Sequence, residues 1–387
     1  MSLEYRHYLD YNATSPISSN VLESLRSEEW FFSNPSSVHY SGKKTQREIN
    51  LVSDYLYETF SLPESTFDIF YHSGATEGIN TIIKGFALEA KNKGEKFIFV
   101  CLESDHSCVT NQIKFLKILG HETIILPILR DGSLDVESTI KKLTPYKNYK
   151  ILLNWTWSNN ESGIILPLEQ AVKIKQETGC LVHVDAVQIV GKYHNWQQLE
   201  SSLDFYTFSG HKFGALKGTG FSFIRNQIEI SPLLNGGGQQ RGLRSGTENT
   251  WGIFSLKLAL EEISQYNLSE TEAAKMLFES RLNQVLGEKG EIVGQKGELR
   301  NTNTTYFIIY DALAQNTAMA FDIAGFDLSN GSACSSGAVV PSRVLKAMGY
   351  TDRESKSALR VSLPQNTTKE YIDNLWPDFS RVLTRFI

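Results

Sequence analysis

The sequence lacks any apolar run approaching the ~18 residues that a membrane-spanning helix needs. It also lacks a block of lysine and arginine, and its formal net charge is only −5. Neither a bilayer nor nucleic acid is therefore expected as a partner. Cysteine is scarce, with four residues at 101, 108, 180 and 334 and no Cys-x-x-Cys pair. That argues against a zinc or iron–sulfur site, so no metal is expected. A disulfide framework is equally unexpected in so large a chain. The first residues, Met1 to His7, contain no apolar segment of the kind a secretory signal carries, so a cytoplasmic location is expected. No internal repeat and no low-complexity segment occurs.

What is present describes a globular protein. The 387 residues are 41% hydrophobic and 11% aromatic, and the length suggests two domains. Apolar strand-like runs recur through the middle of the chain. They are Phe67–Tyr71, Lys96–Cys101, Glu122–Leu126, Lys150–Trp155, Leu181–Asp185, Phe205–Ser209 and Gly220–Ile224. Helical stretches separate several of them, such as Leu168–Thr178, ended by Gly179. Continuous apolar strands alternating with helices predict an α/β fold with a mostly parallel sheet sandwiched by helices. Ligands of such sheets bind at the carboxyl ends of the strands. A helical pattern from Trp251 to about Tyr266 leads toward a smaller α+β domain, with strands at Asn303–Tyr310 and Arg360–Leu363, the latter ended by Pro364. Cys101 and Cys180 sit in apolar segments and are expected in the core.

Two residues at predicted strand ends carry the chemistry. Lys212 closes the run Ser209-Gly210-His211-Lys212, and Asp185 lies in His183-Val184-Asp185-Ala186-Val187-Gln188. A lysine amine forms a Schiff base with an aldehyde, and a carboxylate keeps a pyridine nitrogen protonated so that the ring accepts electrons. Together they point to pyridoxal phosphate (PLP). His72-Ser73-Gly74-Ala75-Thr76-Glu77 enters a helix, as either an ordinary N-cap or an anion seat. His106 follows a strand and suits stacking on a ring and proton transfer. The Asn159-Asn160 pair is either a turn or a donor to a phenolate oxygen. The glycine-rich stretch Asn235–Thr247 mixes arginines with hydroxyls, which suits phosphate or carboxylate. Cys334 lies in the small-residue run Ser329–Gly337, either as a bystander thiol or as a nucleophile on a flexible arm. Arg360 suits a bidentate grip on a carboxylate.

In order and spacing, these motifs make the chain resemble a cysteine desulfurase, in the class-V aminotransferase branch of fold type I PLP enzymes. The resemblance runs from Tyr8-Leu9-Asp10-Tyr11-Asn12-Ala13-Thr14, through Asn34-Pro35-Ser36-Ser37, Ser73–Glu77, Asn159–Gly163, His183–Gln188, Ser209–Lys212 and Arg244–Thr247, to Gly331–Ser336 and Arg360–Leu363. It implies a large PLP-binding domain over 15–262 and a small domain made of 1–14 and 263–387. Lys212 would hold the cofactor and shuttle protons. Asp185 would face the ring nitrogen, Gln188 the phenolic oxygen, and His106 the ring face. Ala75, Thr76, Ser209 and His211 would bind phosphate, joined by Thr247 of the partner subunit in a homodimer. Asn34, Asn160 and Arg360 would hold the carboxylate of L-cysteine, with Asn160 also near the cofactor. Cys334 would take the sulfur as a persulfide, release alanine and pass the sulfur to an acceptor protein, whether in iron–sulfur cluster assembly, tRNA modification or DNA modification. The Gly-Ser-Ala-Cys-Ser form resembles the subgroup with the longer cysteine loop. Selenocysteine lyase, another class-V reaction such as transamination, and a non-catalytic PLP-binding partner are the alternatives. Asp105 stands where a glutamate is usual, and Pro364-Gln365 where a glycine is usual. With 53 residues after Cys334 (387 − 334), the extended tail that housekeeping members use for scaffold docking is not expected.

Overall fold

A computed structural model describes residues 6–27, 32–295, 299–330 and 340–387. Cys334 lies outside the described residues. The described residues form twelve strands: β1 (His7–Tyr8), β2 (Phe67–His72), β3 (Phe97–Leu102), β4 (Glu122–Leu126), β5 (Lys150–Thr156), β6 (Leu181–Asp185), β7 (Phe205–Ser209), β8 (Gly220–Arg225), β9 (Gly290–Ile292), β10 (Thr304–Ile309), β11 (Phe326–Asp327) and β12 (Ala358–Ser362).

Seven strands form one sheet in the order β2-β8-β7-β6-β5-β3-β4. The pairs from β7 through β6, β5 and β3 to β4 are parallel. Strand β8 runs antiparallel to both neighbours, so the mostly parallel sheet holds with one exception. Every residue of β3 and β7 is buried, as a sheet covered on both faces requires. The helix Ala75–Asn92 buries Ile79, Ile82, Ile83, Phe86 and Ala90, a helical spacing that presents one apolar face, and packs on β7 and β8. The helix Leu168–Thr178 ends at Gly179 with φ 73°, as its sequence predicts.

A second sheet, β12-β10-β9, is antiparallel. Its strand β10 serves two cores by simple alternation. Tyr306 and Ile308 join the core of the large sheet. Phe307 and Ile309 join a second core with Leu9, Phe278, Leu282 and Phe379. Strand β12 begins two residues before the predicted Arg360, and the helix predicted from Trp251 to Tyr266 spans Thr250–Ile263.

The N-terminal arm links the two units. Strand β1 pairs in parallel with β11, and Asp10 bridges to Ser362. Farther on, the Ser15 N–H donates to the His211 carbonyl and the Ser18 N–H to that of Gly214. Asn12 and Ala13 are thereby laid across the carboxyl ends of β6 and β7.

Candidate active site

A cavity of about 630 Å³ opens at those strand ends, within the size range of small-molecule sites. Ala75, Thr76, His106, Asn160, Asp185, Gln188, Ser209, His211 and Lys212 all line it. Nine of the sequence-predicted residues, drawn from five separate segments, therefore meet in one place.

The lysine is held by the arm. Lys212 Nζ donates to the carbonyls of Asn12 and Ala13 at 2.7 and 2.8 Å. Burial, and then the nearby Arg360 charge, lower its pKa to about 8. A lysine so shifted has far more of the neutral, nucleophilic amine at neutral pH. Asp185 is buried, and burial raises its pKa to about 6. Its Oδ1 accepts from the Val187 N–H at 3.1 Å. Among the described residues it forms no ion pair. A protonated ring nitrogen would supply the missing positive partner.

His106 is fixed by its own helix start. The Cys108 N–H donates to His106 Nδ1 at 3.1 Å, so the neutral ring carries its proton on Nε2. Burial lowers its pKa below the usual value, helped by Lys212. Cys108 also lines the cavity, with its sulfur 3.0 Å from His106 Nδ1. Sequence reading gave this thiol no place, and burial pushes its pKa up, away from reactivity.

The helix Ala75–Asn92 begins at the cavity without a side-chain cap. Its N-cap, Gly74, has φ 155° and ψ 168°, a backbone geometry essentially confined to glycine. The first N–H groups of this 18-residue helix are left for an anion, which the helix dipole favours. Ser209 and His211 lie on the same wall, and His211 Nδ1 is 3.1 Å from Thr14 Oγ1.

Beneath the cavity floor a polar chain crosses the sheet. Residues two apart on a strand share a face. Thr156, Asp185 and Ser209 line the cavity, so Asn154, His183 and Thr207 lie one step below them. Asn154 Nδ2 donates to Asp105 at 2.9 Å, and its Oδ1 is 2.7 Å from His183 Nδ1. His183 Nε2 is 2.8 Å from Thr207 Oγ1. Ser222 Oγ is 2.9 Å from both Thr207 Oγ1 and His72 Nε2. Thr156 Oγ1 also donates to Asp105 at 2.6 Å. Asp105 thus finds donors of its own for its shorter side chain. Burial lowers His72 to about 4 and His183 to about 3, keeping both neutral.

Other predicted residues fall outside the cavity lining. Arg360 is buried, and its guanidinium donates to the Asn160 carbonyl at 2.8 Å and to Asp10 at 2.6 Å. Its Nε is buried without a partner, a donor left over for a ligand. Asn34 does not line the cavity; its Oδ1 accepts from the Ser36 N–H at 2.9 Å. Thr247 lines an adjoining pocket that shares Ser73 and Gly218 with the cavity. Asn12, which sequence reading gave no role, is 1% exposed and joins Lys212, Gln188, Asn160 and Thr304. Its only sequence signal is its place in the Tyr8–Thr14 motif.

A family model described as Aminotransferase class-V matches residues 7–375. The chain belongs to the class-V aminotransferase family, among its cysteine desulfurases. The family's enzymes depend on PLP. Cysteine desulfurase IscS of Dictyoglomus turgidum is 31% identical over 384 residues, covering 98% of this chain and 94% of the relative. A solved NifS-like protein superposes with a TM-score of 0.86 at 29% identity, covering 98% of this chain and 100% of that one. A solved structure of SspA in complex with cysteine is 27% identical, with a TM-score of 0.77, covering 93% of this chain and 99% of that one. Among the described residues, no helix of this class-V chain is long and apolar enough to cross a membrane.

Proposed function

We propose that this chain is a PLP-dependent cysteine desulfurase that converts L-cysteine to L-alanine and keeps the sulfur as a persulfide on Cys334. The observation that carries the reading is the meeting of Lys212, Asp185 and His106 in one cavity beside an uncapped helix N-terminus. The relatives named cysteine desulfurase, and the related SspA solved with cysteine, support the substrate.

PLP, when bound, supplies an electron sink for charge leaving the substrate's α-carbon. Lys212 Nζ would hold its aldehyde and would then be placed to move protons. Asp185 would face the ring nitrogen and Gln188 the phenolic oxygen. His106, with its proton on Nε2, would cover the ring. The N–H groups of Ala75 and Thr76, with Ser209 and His211, hold the phosphate. Arg360, Asn160 and Asn34 hold the substrate carboxylate. Cys334 forms a bond to the substrate's sulfur as the carbon–sulfur bond breaks. The pair of electrons stays with carbon, which takes up a proton to give alanine, so cysteine and thiol become alanine and persulfide with no outside oxidant.

The same reading makes the protein a cytoplasmic homodimer, with Thr247 of the partner subunit completing each phosphate site. Its support is that Thr247 lies one pocket away from its own chain's cavity. A separate acceptor protein then takes the sulfur. The division into 15–262 and 1–14 with 263–387 belongs to the same proposal, supported by Leu9 joining the second core.

The test is a turnover assay with L-cysteine that measures alanine and sulfide together, on wild type and on Cys334→Ser. Wild type should form alanine. Cys334→Ser should keep PLP, change its spectrum on adding cysteine, and form no alanine and no persulfide. Undiminished alanine from Cys334→Ser would point to a lyase or transaminase instead.

A further inference from the structure

Lys212 has a fully buried lysine, Lys192, for a neighbour. Lys192 is 0% exposed and forms no ion pair among the described residues. Burying an unpaired ammonium is costly, and burial lowers its pKa well below the usual lysine value, with Lys212 and Arg360 adding to the effect. The chain is shaped to place it there. Gly191 before it has φ 66°, and a Cβ at that glycine would meet Ile263 at 2.7 Å. The Lys192 carbonyl accepts from the Thr302 N–H at 2.8 Å.

Its amine touches two amide oxygens. Lys192 Nζ donates to Gln188 Oε1 at 2.6 Å and to Asn12 Oδ1 at 3.1 Å. Both contacts need an amide oxygen to accept from the amine. Each amide must then turn its oxygen toward Lys192 and its nitrogen away. Gln188 Nε2 accordingly donates to the Asn12 carbonyl at 2.8 Å. Asn12 Nδ2 donates to Thr304 Oγ1 at 2.8 Å and to the Asn160 carbonyl at 3.1 Å. The Asn12 carbonyl that takes Gln188 also takes Lys212. An amide nitrogen carries two hydrogens. Gln188 spends one of its two on the Asn12 carbonyl, and the other is left for the cavity that Gln188 lines.

We propose that Lys192 is a positioning residue of the reaction, fixing the amide of Gln188 so that an N–H faces the acceptor oxygen of the bound cofactor. It acts through Gln188 and Asn12 and touches no reacting atom. The inference rests on the PLP reading above, since it needs the cofactor's phenolic oxygen as that acceptor.

A donor to that oxygen favours its ionised form, so losing the donor should raise the pH at which the visible band of the loaded enzyme titrates. Full-length protein loaded with PLP is titrated spectroscopically as wild type, Lys192→Met, Gln188→Ala and the double variant. Lys192→Met should move the midpoint up by about one pH unit, the size of one hydrogen bond to a charged group. Gln188→Ala should move it the same way, and the double variant no farther than Gln188→Ala alone. Should Lys192→Met not fold, the milder Lys192→Gln is read in the same titration, with a smaller upward shift expected. An unmoved midpoint in Gln188→Ala or in a folded Lys192 variant overturns the proposal, and so do shifts that add in the double variant. Failure of the PLP reading itself shows separately, as wild type with no visible band after loading.

Discussion

Two supports back the cavity, a sheet wall beneath its floor and an arm wall beside Lys212, and they are made in different ways. On the sheet wall, Asp105, Asn154, His183, Thr207, Ser222 and His72 bond across neighbouring strands. Their pairing follows from strand order and register, and burial holds the two histidines neutral. On the arm wall, Lys212, Arg360 and Asp10 bring charge, and their partners lie far away in sequence. Lys212 meets the Asn12 carbonyl across 200 positions, and Arg360 meets Asp10 across 350. The sheet wall therefore comes with the core. The arm wall has to be assembled by threading residues 7–15 over the strand ends. Damage to the first should register mainly in stability, and damage to the second mainly in chemistry.

The sharpest test of that division is Lys212→Ala. The side chain makes only two hydrogen bonds to the arm, so the fold should survive. Turnover with L-cysteine should fall by about 10⁴-fold or more, since both cofactor attachment and proton transfer go with it. Loss of the visible band in a protein of unchanged circular dichroism is the expected pair of observations. A variant that still cycles at a tenth of the wild-type rate would remove Lys212 from the chemistry.

Asp185 stands where the walls meet, on the sheet but facing the cavity. Asp185→Ala deletes a buried carboxylate that accepts only one backbone hydrogen bond among the described residues. Turnover should drop on the order of 10²-fold, the usual loss for one preorganised electrostatic partner. PLP content should change much less, because the helix N-terminus and Ser209 remain. Equal losses of cofactor and rate would mean that Asp185 serves binding and not the electron sink.

The same division explains what the sequence discloses. The seven strands of the large sheet are legible because each is a continuous apolar run. Lys212 and Asp185 are legible because they end such runs with groups that a core does not need. The reversed direction of β8 is not legible, because its run Gly220–Ile224 is as apolar as the parallel strands of the same sheet. His183, Thr207 and Ser222 read simply as strand residues. Only the register of β6, β7 and β8 turns them into one chain. Asn12 and Lys192 are hidden for another reason. A lone asparagine and a lone lysine in turns carry no periodicity, and their meaning comes from contacts that form only after the arm has crossed the molecule. Cys108 is hidden in the same way, two residues beyond the histidine that it helps to orient.

The gentlest test reaches the sheet wall alone. His72 is buried and its pKa is lowered to about 4 by burial, against about 6.5 when unfolded. Below pH 6.5 the unfolded chain takes up a proton that the folded one refuses, so this group makes stability fall as pH drops from 6.5 to about 4. The slope for one such group is about 1.4 kcal/mol per pH unit. Asp105 and Asp185, raised to about 7 and about 6, act in the opposite sense. They bind protons more tightly in the fold, and their contribution is lost as pH rises through those values. The wild-type curve mixes both effects, and only a difference between variants separates them. His72→Gln keeps an N–H for Ser222 and cannot titrate, so it should cost about 1 kcal/mol at neutral pH. Below pH 6.5 its denaturant-unfolding free energy, measured with PLP at a fixed saturating concentration, should gain on wild type by about that slope. Parallel curves for the two proteins between pH 6.5 and 4 would show that His72 is protonated in the fold, and the neutral chain across the sheet would then lose its first member.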